Sequence, residues 1–180
     1  MGFRVEAVTL GLQEEHVLIE RFTTVLEWTR TRVESGIGLD EDFISSQLSF
    51  LRDFVISCHF AKEELYVFPK LRALGDDIKS LELELEEDHN AIRALTDKLK
   101  AAWETGDVSL IDAVLGDLVK RLLSHQEKEN SVAFAYVEMY TSDNEKSQLL
   151  NELRLFDAKP ECNKASVERQ LNYMFSVMEG

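Results

Sequence analysis

A chain of 180 residues with 44 % hydrophobic content is long enough for one domain with a real core and too apolar to stay disordered. Its formal net charge of −14 argues against nucleic acid or an anionic membrane as partner, because like charges repel. Only two prolines and eight glycines are present, which leaves long uninterrupted stretches and favours helices over a many-turned β fold. Met1 to Leu12 shows no basic stretch followed by a long apolar run, so no signal peptide is evident. No apolar run is long enough to span a bilayer. Cys58 and Cys162 are far apart and form no CxxC motif. They give no disulfide framework, which fits a reducing, cytoplasmic setting.

In chain order, the first helical segment is predicted from about Val8 to Glu34, stopping at Gly36-Ile37-Gly38, with the apolar stripe Leu12, Ile19, Leu26, Val33. The second starts near Asp40 and fades between Pro69, which is expected to kink or end it, and Gly75; its stripe is Leu48, Leu51, Val55, Tyr66. The third runs from Asp76 or Asp77 to Gly106 on Leu81, Leu85, Ile92, Leu99, Trp103. The fourth runs from Asp107 or Ser109 to Thr141 on Val114, Leu118, Leu122, Val132, Tyr136. Asp and Ser at these starts can accept the free N–H groups of a first helical turn. The prediction is all-α: an up-down-up-down four-helix bundle over residues 1–140. Residues 141–180 form an appendage of one or two helices. Ser142 and Glu145 form a capping box for a short helix ending near Phe156. Pro160 breaks the chain, and a last helix runs from Ser166 to Met178. The appendage has no histidine and is expected to cover one end of the bundle or to mediate association, for example in a homodimer.

The chain has four histidines, one per long helix, and all fall on the inward stripe. His16 lies between Leu12 and Ile19, His59 after Val55, His89 between Leu85 and Ile92, and His125 after Leu122. Four unpaired imidazoles in one small core would waste hydrogen-bonding capacity, and a shared metal resolves that cost. His59 and His125 are each followed four residues later by a carboxylate, Glu63 and Glu129, on the same helix face. Each half of the chain thus supplies two histidines and one glutamate. Two such halves suit two metals bridged by two carboxylates. Nitrogen and oxygen ligation without thiolate fits iron or manganese better than structural zinc.

The order His, HxxxE, His, HxxxE resembles the hemerythrin family in its HHE cation-binding branch. The run His59-Phe60-Ala61-Lys62-Glu63-Glu64-Leu65-Tyr66-Val67-Phe68-Pro69 is similar to that branch's signature, as are Asp88-His89 and the His125-to-Glu129 element. The resemblance covers about residues 8 to 140. It implies a non-haem di-iron centre, oxo- or hydroxo-bridged, held by His16, His59, Glu63, His89, His125 and Glu129, with manganese or zinc as substitutes. It also implies O₂, peroxide or NO as the small ligand that is bound or reacted. Oxygen-carrying hemerythrins use five histidines, with HxxxH on the third helix and a final Asp five residues after its His. Here Leu85 and Arg93 flank His89 at four residues, and the last carboxylate is Glu129. The pattern is closer to di-iron proteins of iron–sulfur repair, to mycobacterial hemerythrin-like proteins and to an iron-sensing domain, which argues against simple O₂ transport. The alternative function is therefore an iron- or oxygen-sensing module whose fold depends on metal and is read by a partner.

Other residues have blander readings. Glu20, four after His16, is read as a solvated helix partner. Glu86 is an additional ligand or part of a solvated acidic face with Glu82, Glu84 and Glu87. Glu64 and Glu127 are surface groups or outer partners of ligands. Cys58 is read as a packing residue. Tyr66 and Tyr136 are core aromatics, or one of them donates a hydrogen bond into the site. A ferritin-like site needs two ExxH pairs, and only Glu86/His89 fits one. Whether the protein is an enzyme stays open; if it is, the chemistry is peroxide or NO handling.

Overall fold

The computed structural model describes residues 7–180. The first part of the Met1–Leu12 segment that was read for a leader, and the start of the bundle as drawn from the sequence, therefore lie outside the described residues. Six helices and no strand are present among the described residues. Helix α1 is Leu10–Glu34. Helix α2 runs continuously over residues 41–72, α3 is Asp76–Thr105, and α4 runs over residues 108–140. Helix α5 is Asp143–Asp157, and α6 is Lys164–Glu179. Among the described residues, no helix is long and apolar enough to cross a membrane.

The helix ends follow local chemistry. The Asp40 and Asp107 side chains accept the N–H groups of Asp42 and Leu110 at the starts of α2 and α4. Helix α3 is preceded by Gly75 rather than an acidic cap, and ends at Gly106, whose φ of 66° is the left-handed conformation that only glycine adopts without cost. Ser142 and Glu145 form the expected capping box. Helix α1 has no capping side chain of its own. Instead, Glu138 of α4 accepts from both the Thr9 backbone N–H and the Thr9 hydroxyl.

Helix α1 packs on α4, α4 on α3, α3 on α2 and α2 on α1, which closes the four-helix ring. The interior is layered. One apolar cluster holds Ile19, Leu26, Val55, Ile92, Leu118 and Leu122. A second holds Leu12, Val67, Leu71, Leu85, Ala133 and Val137. On every long helix the histidine lies between a residue of one cluster and a residue of the other. The polar residues therefore form a slab across the middle of the bundle with apolar packing on both sides.

Two helices depart from α geometry next to this slab. Helix α2 is π-helical over Phe50–Phe60 and Glu63–Val67, and α4 over Glu129–Ala133. A π turn spends an extra residue and shifts the buried register after it. That shift corrects one predicted core position: Val132 is 38 % exposed, and Ala133, Phe134 and Val137 are buried in its place. Pro69 does not end α2, which continues to Arg72 beyond the second π turn.

The tail shares the bundle's core. Phe156, Val167, Leu171 and Met174 join the larger apolar cluster, and α6 lies against α1 and the start of α2. Cys58 of α2 is disulfide-bonded to Cys162, in the single 3₁₀ turn Pro160–Cys162 before α6, with Cα atoms 5.4 Å apart. The expectation of two free cysteines is overturned, and the compartment argument drawn from them falls with it. Their separation of 104 residues concealed the pairing.

Candidate metal centre

The slab is built from helix periodicity. His16, His59, His89 and His125 are 0–3 % exposed, and Glu63 and Glu129 are fully buried. All four Nε2 atoms point at the two carboxylates. Glu63 divides its oxygens between two histidine pairs. Its Oε1 lies 3.0 Å from His59 Nε2 and 3.7 Å from His16 Nε2. Its Oε2 lies 3.2 Å from His89 Nε2 and 3.9 Å from His125 Nε2. Glu129 Oε2 faces both pairs from the other side, 3.1 Å from His16 and 3.3 Å from His125. Two donor groups result, His16/His59/Glu63/Glu129 and Glu63/His89/His125/Glu129, each with its donor atoms within 4.8 Å of one another. The structure thus brings together all six residues singled out in the sequence.

Each Nδ1 faces outward to a residue that sits next to a slab residue on the neighbouring helix. Glu15 of α1 accepts from His59 Nδ1 at 2.8 Å. Glu64 of α2 accepts from His89 Nδ1 at 2.7 Å. Asp88 of α3 lies 3.6 Å from His125 Nδ1, longer than a direct hydrogen bond. Asn130 of α4 accepts from His16 Nδ1 at 2.9 Å. The four contacts form a closed ring, α1 to α2 to α3 to α4 and back to α1. The reason is rotational. A residue adjacent to one that points inward is turned about 100° away, which places it at the seam with the next helix. At His16, His59 and His89 the amide or carboxylate acceptors favour a proton on Nδ1 and turn Nε2 toward the centre, where His89 Nε2 also lies 3.0 Å from His125 Nε2. Sequence reasoning missed Glu15, Asp88 and Asn130 as partners; their only signal was that each adjoins a predicted ligand or its pair.

Buried polar atoms normally have partners, and here a set of them does not. His16 Nε2, His59 Nε2 and all four oxygens of Glu63 and Glu129 are buried without a hydrogen bond. These atoms converge on one another and form a donor set suited to cations. The site's electrostatics ask for positive charge. Burial opposes a proton on His16, but the close, negatively charged Glu129 and Glu63 carboxylates outweigh it and raise the imidazole to about 9. Burial likewise opposes charge on Glu63, yet the facing imidazoles of His59, His125 and His16 hold it well below the usual carboxylate range. A group raised from 6.5 to about 9 on folding stabilises the metal-free fold fully below pH 6.5 and loses that contribution as pH rises to about 9. In urea titrations of metal-free protein, the stability difference between wild type and His16→Gln is expected to shrink between pH 6.5 and 9. A difference constant over that range would contradict the assignment of charge to this pair.

The walls are aromatic. Phe60 stacks on His89 with ring centroids 3.7 Å apart, and Phe134 stacks on His16 at 5.4 Å. These rings limit water around the imidazoles. Glu20 is exposed and outside the site. Glu86 is also exposed, which removes it as an additional ligand. Glu82, read with the solvated acidic face, is fully buried and paired with Arg72. Tyr66 packs edge-on against Phe156 of the tail, and Tyr136 stacks on Tyr140; neither hydrogen-bonds into the slab.

A family model for the hemerythrin HHE cation binding domain matches residues 10–137. The chain belongs to that family, and its buried His/Glu clusters form a metal-binding site. Uncharacterized proteins of Mycobacterium bovis and Mycobacterium tuberculosis are 27 % identical to it over 131 residues, covering 68 % of this chain and 50 % of theirs. The chain therefore spans about half the length of the curated relatives it matches. No solved structure matches it.

Proposed function

We propose that the slab holds two iron ions, one at His16 and His59 and one at His89 and His125, bridged by Glu63 and Glu129, and that the protein binds or reacts with O₂, peroxide or NO. The observation that carries this reading is the division of Glu63, whose two oxygens serve different histidine pairs. Imidazole and carboxylate donors without thiolate suit iron, with manganese or zinc as substitutes. Iron bound there would supply redox chemistry. The chain's own residues do the rest. Glu15, Glu64 and Asn130 orient the imidazoles of His59, His89 and His16, Asp88 places negative charge beside His125, and Phe60, Phe68 and Phe134 exclude water. The test is to mix anaerobically iron-loaded, reduced protein with peroxide or NO. Consumption in excess of the protein supports turnover. No consumption and no spectral change with O₂, peroxide or NO would overturn the reading.

A sensing role is the second reading, favoured by the layered core. The polar slab separates two apolar clusters, so metal occupancy would act directly on the stability of the whole bundle. In that case iron loading would change stability and partner binding without consumption of the ligand.

The outer ring is open to a direct test. Glu15→Gln keeps the shape of the side chain but removes the charge facing His59 Nδ1. Loss of such an outer partner costs roughly 10–100-fold in metal affinity. Chelator competition should show a weakening of that size relative to Glu20→Gln. Equal affinity in the two variants would mean that Glu15 does not orient His59.

A further inference from the structure

The disulfide lies immediately beside the metal site. Cys58 is the residue before His59, and Cys162 belongs to the tail that follows the bundle. The same tail makes a second tie to the same place. Lys62 of α2, only 2 % exposed, donates to Asp157 at the end of α5 at 2.6 Å and also to Glu15, the acceptor for His59 Nδ1. The tail, the disulfide, Lys62, Glu15 and His59 thus form one connected unit.

The two cysteines differ in their surroundings. Cys58 is fully buried, whereas Cys162 is 6 % exposed. Cys162 lines a cleft of about 200 Å³ between α1 and the tail, together with Gly11, Glu14, Leu18, Asn163 and Lys164. The cleft is a route to Cys162 and not to Cys58. Beyond the disulfide and Lys62, the polar ties of α6 to the bundle are exposed or half-buried. They include Lys164 with Glu14 at 2.8 Å, Arg21 with Asn172 at 3.3 Å, and Gln170 with the Ser46 carbonyl at 2.9 Å.

We propose that Cys58–Cys162 is a reversible thiol–disulfide exchange site for thiol or dithiol reductants, attacked at Cys162, and that its reduction loosens the tail from the face of α2 that carries His59. The exchange balances. A reductant thiolate attacks Cys162 Sγ, forming a mixed disulfide, and the Cys58 sulfur leaves as thiolate and takes a proton. A second thiol, from the same dithiol or another molecule, displaces Cys162 and leaves with the reductant as a disulfide. Two electrons and two protons pass to the protein, and the oxidised reductant reverses the reaction by the same path. The aliphatic and aromatic contacts of α6 remain after reduction, so the tail loosens without the bundle unfolding.

The experiment uses the full chain without metal, so that its outcome is independent of the metal assignment. Native protein is equilibrated in graded ratios of reduced to oxidised dithiothreitol. Its thiols are counted by alkylation and intact mass, and amide hydrogen exchange is compared between the two end states. The expected result is complete, reversible reduction with helicity retained. Exchange should be faster, on the order of tenfold, over residues 158–175 and around His59–Lys62. Cys162→Ser should reproduce the reduced pattern without reductant. A disulfide that is reduced only after denaturation would overturn the proposal. So would reduction that leaves exchange in both segments unchanged.

Discussion

Stripping the metal is expected to lower the thermal midpoint by about 10 °C while leaving most of the helix intact. Without a cation, Glu63 and Glu129 face each other and four imidazoles in a fully buried layer, with their oxygens lacking hydrogen-bond partners. The layer must then take up protons, admit water or spread apart, and each response weakens the middle of the bundle. The apolar clusters above and below it, from Ile19 to Leu122 and from Leu12 to Val137, do not depend on metal. Helicity therefore survives while cooperativity suffers. Metal present at about 1,000 times its dissociation constant stabilises the native state by roughly 4 kcal/mol. For a chain of this length, each kcal/mol moves the midpoint by about 2–4 °C. Calorimetry and circular dichroism on matched metal-free and loaded samples provide the check. Coincident melting curves would show that no metal is held in the core.

Glu63→Ala should have the largest effect of any single substitution, with both metal ions lost together. Its Oε1 is 3.0 Å from His59 Nε2 and its Oε2 is 3.2 Å from His89 Nε2, so one side chain supplies anionic charge to both donor groups. Alanine would leave four imidazoles converging on Glu129 alone. The loss in affinity should exceed the roughly 10–100-fold expected for an outer partner such as Glu15. His16→Ala removes a donor from one group only, so one ion should remain. Glu20→Ala, at an exposed position, should retain both. Metal content after desalting separates these outcomes. Retention of two ions by Glu63→Ala, or loss of both from Glu20→Ala, would mean that the ligands are wrongly assigned.

The six residues of the slab were legible in the sequence because their signal is local. An imidazole and a carboxylate four residues apart share a helix face, and one histidine per apolar stripe places all four in the same core. The capping box at Ser142 and the breaks at Gly36, Gly75 and Gly106 were legible for the same reason. What was not legible depends on neighbours in space. Glu15 adjoins His16 in the chain but serves His59 on another helix, and Asp88 adjoins His89 but faces His125. The π turn after Glu129 leaves no composition signature, so Val132 was placed in the core one residue too early. Glu82 reads as one more charge on an acidic face until the chain brings Arg72 against it. Cys58 and Cys162 meet only because the tail folds back across α2.

One polar layer is expected to hold two metal ions of the same kind. Elemental analysis of protein loaded anaerobically with Fe²⁺ and then desalted tests it most directly. The two donor groups that share Glu63 and Glu129 predict about two irons per chain. Saturation at one iron, or a single zinc with no uptake of iron, would contradict the dinuclear centre.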